Sequence, residues 1–317
     1  MPGKFVLACP DHDPNKDSLM LLEQTTVLRF IGMIASRAII AATSDTLKNV
    51  NPEQQNNRLA ERYRGVFKNY PSDTFRVVSE PITHDQNPDV RIRRKSNYLN
   101  ALGLALDESK KLGNAPIGFF LMDRLEYAAL RHPKELQEYF GKLLNHKEFM
   151  EQYSNKAVFS PVPRKFPDPT DVEDYRYPYM YPVSHNIYGN RQFRPSRSPL
   201  PVEKTYNYGQ MCLEGTIQAV YNLAFSPKEF LSSKFQRHID MASGFWLMSP
   251  QAAEIIIKNT KDTKPLVFPE GEWPLAVEKG GGKVISLIPS ENILNWEHDN
   301  HRDLRHYLEI LKGINVD

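Results

Sequence analysis

Apolar and polar positions fall into repeating blocks along the first half of the chain: a short continuous apolar run, then a longer stretch with helical spacing. Lys4 to Cys9 is such a run, closed by Pro10 and a cluster of Asp, His and Asn, the pattern of a buried strand that ends in a loop. Leu19, Leu22, Thr26, Phe30 and Ile34 then recur at intervals of three and four, which predicts a helix with Asp17 or Ser18 as its N-cap. Arg37 to Thr43 predicts a second buried strand, ending in the polar Ser44, Asp45 and Thr46. Asn51-Pro52 opens a second amphipathic helix marked by Leu59, Tyr63, Val66 and Phe67, and Thr74 to Ser79 predicts the third strand. A long helix follows from Pro88 to Gly113. Ile92, Leu99, Leu102 and Leu106 make its apolar stripe, and Arg93, Arg94, Lys95, Asn97 and Asn100 crowd its first turns. Pro116 to Met122 is a continuously apolar fourth strand that runs straight into Asp123, Arg124, Leu125 and Glu126.

Four alternations of strand and helix predict an α/β fold with a mostly parallel central sheet flanked by helices, whose ligands gather at the carboxyl ends of the strands. The texture changes at Phe159. Nine of the 24 prolines fall between 159 and 201, with Tyr175, Tyr177, Tyr179, Tyr181 and Tyr188, and predict a long Pro- and Tyr-rich insertion over 159–208 without regular structure. Beyond it the pattern predicts a helix over Gly209–Asn222, a strand over Gly244–Met248, a helix over Pro250–Asn259, a strand over Lys283–Ile288 and a last helix over about Asp303–Lys312. No internal repeat is present.

Composition narrows the chemistry. Forty Lys and Arg against 38 Asp and Glu leave a formal charge of +2, without the basic excess that general nucleic-acid binding needs, so no nucleic-acid partner is expected. Cys9 and Cys212 stand far apart without CxxC spacing, which argues against a disulfide framework or a structural zinc site. No run of eighteen apolar residues exists, so no transmembrane segment is expected; with the start MPGKFVLACPDHDP reading as strand and turn, a cytoplasmic protein is expected. GxGxxG after the first strand, GxxxxGK[ST], GxSxG and HExxH are all missing, which removes the main support for dinucleotide, P-loop, α/β-hydrolase and zinc-protease readings.

An acidic strand end remains. Asp123 lies where a buried parallel strand should open into the ligand crevice, and Glu126 follows three residues later. Such a pair suits Mn or Mg bound to a diphosphate, because hard divalent ions prefer oxygen ligands and bridge carboxylates to phosphates. The alternative for the same residues is a helix-capping carboxylate or an ion pair with Arg124.

The order of these elements, with a helix carrying RRKSNYLNALGLAL before the acidic strand end, resembles the GT-A glycosyltransferases. The resemblance covers about Phe5 to Glu126 and Gly244 to Glu297, including GFWLMSPQAAEII and GEWPLAVEKGGGKVISL, as a sequence of elements and not as one strict motif. It implies a GT-A type fold with a donor-binding half over 1–155 and an acceptor half over 156–317, the two forming one continuous domain. It implies transfer of a sugar from a UDP- or GDP-linked donor to a carbohydrate or other hydroxyl acceptor, assisted by Mn or Mg and inverting. Asp123, Glu126 and His298 would hold the metal, with Leu125 standing where the family's acidic motif carries its second Asp. Asp11, Asp45, Arg94, Lys95, Asn97 and Arg302 would bind the donor, and Glu272, with Glu270 in reserve, would be the general base. Glu272 also reads as an ordinary carboxylate in the first turn of a helix, stabilised by its dipole. Two other classes stay open: a sugar nucleotidyltransferase, disfavoured because ACPDHDPNKD has no Gly, and a non-catalytic nucleotide- or sugar-binding protein, favoured by Leu125.

Overall fold

The run FVLACPD is apolar on both faces because it forms the middle of the sheet: β1 (Phe5–Asp11) is buried at every residue. The computed structural model describes residues 5–11, 26–43, 73–122, 125, 133–162, 244–266 and 269–285. All belong to one compact unit, made of 1–162 and 244–285; the other unit, 163–243 with 286–317, lies outside the described residues. After β1 come α1 (Thr26–Ile34), β2 (Ala35–Ala42), β3 (Phe75–Ser79), α2 (Val90–Lys111), β4 (Ile117–Phe120), α3 (Pro133–Asn145) and α4 (Lys147–Asn155). The chain then forms β5 (Val158–Pro161), β6 (Phe245–Met248), α5 (Pro250–Thr260), a 3-10 turn (Pro269–Glu272), α6 (Trp273–Lys279) and β7 (Lys283–Val284).

The seven strands lie in the order β3-β2-β1-β4-β6-β5-β7. Pairing is parallel from β3 through β4, antiparallel on both sides of β6, and parallel between β5 and β7. The sheet is therefore mixed, with β6 alone opposed to the other described strands, and the α/β class holds. Phe159 to Pro161, read from sequence as the start of a loop, instead belong to β5. Val158 and Phe159 are buried and the strand pairs with β6 and β7, but the run was too short for its pattern to stand out beside the prolines that follow.

Alternation along β4 separates two layers. Phe119 meets Tyr98 of α2, Trp246 of β6 and Trp273 of α6, while Phe120 points the other way to Phe140 of α3 and Phe245. Helices α2, α5 and α6 thus cover one face, and α1 and α3 the other, where Phe140 also meets Phe5 and Phe30. Gly118 directly precedes Phe119 and Phe120 in β4, and a Cβ there would come within 2.7 Å of Leu7 Cδ2. The missing side chain lets Leu7, its register partner on β1, pack against β4.

The predicted apolar stripe of α2 is only partly right. Leu102 and Leu106 are buried, but Ile92 and Leu99 are half-exposed, and the buried face instead includes Arg93, Asn97, Ala101, Ala105 and Ser109, a row at four-residue spacing. Small residues in this row let the helix lie close to the sheet, so its polar amino end is carried down against the strand ends. The helix stops at Leu112, where Gly113 and Asn114 both take left-handed backbone.

Candidate functional site

Strand direction decides what meets at the carboxyl edge. Helix α2 leads from β3 back to the parallel β4, and α6 leads back to β7, so both begin at this edge; α5 follows the reversed strand β6 and ends there. The amino end of α2, the residues after α5 and the turn before α6 are accordingly neighbours.

On β1, Val6 N–H donates to Pro116 of the β4 side at 2.9 Å, so by alternation Pro10 also faces β4. Pro10 has no N–H to give. The β1–β4 register ends at Ala8 opposite Phe119, two residues short of it, so the two strands part where the proline removes a donor. This is also the point at which strand order reverses, with β2 on one side of β1 and β4 on the other. A topological switch of this kind is where open α/β sheets form their ligand crevice. Asp11, the next residue, is 1% exposed, and Thr43 N–H donates to its carbonyl at 3.0 Å. Glu80 N–H donates in turn to Ala42 at 2.9 Å, keeping the ends of β1, β2 and β3 in step. Burial pushes the Cys9 thiol well above its ordinary range, and the charge of Asp11 adds to it, which disfavours the thiolate.

The polar start of α2 is fastened to these ends. Asp89 caps the helix by accepting the Arg91 N–H at 2.9 Å, and the Arg91 guanidinium on its carboxylate, followed by that backbone bond, holds its pKa down at about 2. One turn on, Arg93 Nη1 lies 3.8 Å from Glu80 Oε1, both side chains being buried. Asn97 Nδ2 donates to the Ala41 carbonyl at 3.1 Å, and its Oδ1 is covered without a hydrogen bond among the described residues. Arg94 is half-exposed beside them.

Lys95 turns the other way, toward α5 and the 3-10 turn. It is 6% exposed, and its Nζ donates to the Thr263 carbonyl at 2.6 Å and to Thr263 Oγ1 at 2.7 Å. Thr263 Oγ1 also lies 2.5 Å from Glu272 Oε2 and 2.8 Å from the Thr260 carbonyl. Glu272 is the last residue of the turn and the N-cap position of α6, without a side-chain cap bond. Its other oxygen, Oε1, is covered and takes no hydrogen bond among the described residues. Burial is the largest influence on both groups: it pushes the Glu272 carboxyl up against the Thr263 bond and the Lys95 charge, and it pulls the Lys95 ammonium down against Glu272 and Asp262.

Of the residues singled out from sequence, Asp11, Arg94, Lys95, Asn97 and Glu272 are thus placed at one edge of the sheet, and Glu270 lies on the same turn as Glu272. Lys95 and Glu272, assigned separately to donor and base, are joined through Thr263. Asp45, Asp123, Glu126, His298 and Arg302 lie outside the described residues, as do the helices expected over 51–67, 209–222 and 303–312. Among the described residues no group of three or more His, Cys, Asp or Glu could hold a metal ion, and no helix is long and apolar enough to cross a membrane. Sequence reasoning missed Glu80 and Thr263. Glu80 had a usable signal, a carboxylate directly after a predicted strand; a threonine in a polar stretch after a helix has none. No family model matches the chain, and no curated protein is similar to it.

Proposed function

We propose that this protein is a GT-A type glycosyltransferase that moves a sugar from a UDP- or GDP-linked donor to a hydroxyl acceptor. The observation that supports it is the parting of β1 and β4 at the strand-order reversal, with the buried carboxylate of Asp11 on one side and the chain leading into Asp123 and Glu126 on the other. In this reading Asp11 and Asp45 approach the nucleoside, and Arg94 carries charge toward the diphosphate. Lys95 and Asn97 shape that wall from the positions they hold on Thr263 and Ala41. Asp123 and Glu126 would hold the cation; two carboxylates three residues apart fit the oxygen preference of Mg and Mn. A bound divalent ion would supply charge neutralisation for a departing diphosphate.

Glu272 serves as general base, with Glu270 in reserve. The acceptor hydroxyl gives its proton to the carboxylate as its oxygen bonds to the anomeric carbon, and the bond from that carbon to the nucleotide diphosphate breaks on the opposite side. A carboxyl raised above its ordinary range suits this work, because proton transfer is most efficient when the base titrates near the working pH. Incubation with a panel of UDP- and GDP-sugars and Mn tests the proposal: slow release of free sugar and nucleotide diphosphate from one donor is expected, and its loss on Asp123→Ala by two orders of magnitude or more. Absence of turnover and of nucleotide binding with every donor, with or without metal, would end it.

A further inference from the structure

Thr263 has one hydroxyl proton and three polar neighbours, and counting that proton is informative. Lys95 Nζ, at 2.7 Å, only donates, so Oγ1 accepts from it. The Thr260 carbonyl, at 2.8 Å, only accepts; it already takes the Thr263 N–H at 3.2 Å, and the shorter bond from Oγ1 uses the hydroxyl proton. Glu272 Oε2 is the third neighbour, at 2.5 Å, and an ionised carboxylate also only accepts. Two acceptors would then share one proton. A protonated Glu272 removes the conflict: its own O–H donates to Oγ1, whose two lone pairs take Lys95 and Glu272, and the threonine proton goes to Thr260. The 2.5 Å length fits either charge state, so the proton count and the surroundings of the second oxygen separate them.

The second oxygen agrees with the first. Oε1 of Glu272 is covered and takes no hydrogen bond among the described residues. As half of a carboxylate it would hold buried negative charge with no donor, whereas as the carbonyl oxygen of a neutral acid it leaves only an unpaired dipole. The charged groups facing this carboxyl are Lys95, which favours its ionised form, and Asp262, which acts on Lys95.

We propose that Glu272 is a proton-holding carboxyl, neutral at a pH where an ordinary glutamate is ionised, and that Lys95–Thr263–Glu272 is a proton-sensitive clasp joining α2 to the segment between α5 and α6. The inference stands apart from sugar transfer, although a base at this position must lose its proton before each turnover. Its sign is fixed by linkage. A carboxyl whose folded pKa lies above its unfolded one contributes full stability below the unfolded value and loses that contribution as pH rises through the folded value. Burial raises the folded value, consistent with the proton count.

Urea unfolding of the full-length protein and of Glu272→Gln tests it at about pH 5, close above the ordinary glutamate range, and at about pH 8. The glutamine keeps a neutral side chain with a donor for Thr263. It should therefore match the wild type at the lower pH, equal or exceed it at the higher, and lose the fall in midpoint between them. A variant less stable than wild type at about pH 8 would mean an ionised Glu272 paired with Lys95 and would overturn the proposal. The wild type gives an independent reading through the carboxyl carbon resonance of Glu272, assigned by its disappearance in Glu272→Asp. A titration midpoint above the ordinary glutamate range supports the clasp, and one at or below that range refutes it. Neither measurement depends on a donor, so failure here removes only the raised carboxyl from the transferase reading, whose test is donor turnover, and failure there leaves the clasp untouched.

Discussion

Gly118 shows how much one side chain decides in this sheet. It sits in a strand whose other residues are apolar and bulky, and a Cβ at 2.7 Å from Leu7 Cδ2 and 3.2 Å from the Phe120 ring cannot be fitted without movement of both. Gly118→Ala is expected to lower stability by about 1–3 kcal/mol, measured as a shift in urea midpoint at constant slope. A neutral result would mean that Leu7 has another rotamer open to it. The same scale explains why the three adjacent cations at the start of α2 do not act as one cluster. Three adjacent cations at a helix start suggest a cluster aimed at one anion, but successive residues on a helix point about 100° apart. Arg93 reaches Glu80, Lys95 reaches Thr263, and Arg94 lies between them at the half-exposed surface.

Among elements, the corner between β6 and α5 carries the antiparallel strand into the helical layer, and Ser249 holds it. Its Oγ accepts the N–H of Ala252, three residues on in α5, at 3.1 Å and the N–H of Val158 at the start of β5 at 3.0 Å. Ser249→Ala would leave two buried amides without an acceptor, and a loss of about 2–3 kcal/mol is expected in chemical denaturation. If the loss is only a few tenths, those amides have found water and β5 is not fastened here. Elements were also the most legible part of the sequence. Continuous apolar runs marked β1, β2, β4 and β6, and the helix read over Pro250–Asn259 matches α5, because strands buried on both faces and helices opened by Pro leave strong local signals. The buried face of α2 was not read correctly. Ala101, Ala105 and Ser109 carry little hydrophobicity, yet they form the row that touches the sheet, since closeness of approach and not side-chain volume selects them. Strand β5 and the reversal of β6 were hidden for a different reason: direction and partner are set by long-range pairing that no local pattern encodes.

For the whole molecule, the proposed activity rests on a convergence that topology creates. Pro10 ends the β1–β4 pairing at the strand-order reversal, α2 brings polar residues down onto the ends of β2 and β3, and the residues between α5 and α6 arrive at the same edge. Asp11 and Glu272 were legible as candidates because each follows or precedes an element with a clear boundary, while the link through Thr263 needed the fold. The measurement that tests the central proposal most directly is a calorimetric titration of UDP and GDP into the full-length protein, with and without Mn, repeated on Asp123→Ala. One of the two nucleotides should bind, at least tenfold more tightly with Mn, and that enhancement should vanish in the variant. Binding of neither nucleotide, or an equal Mn effect in wild type and Asp123→Ala, would contradict a metal-assisted nucleotide-sugar site at the carboxyl edge of this sheet.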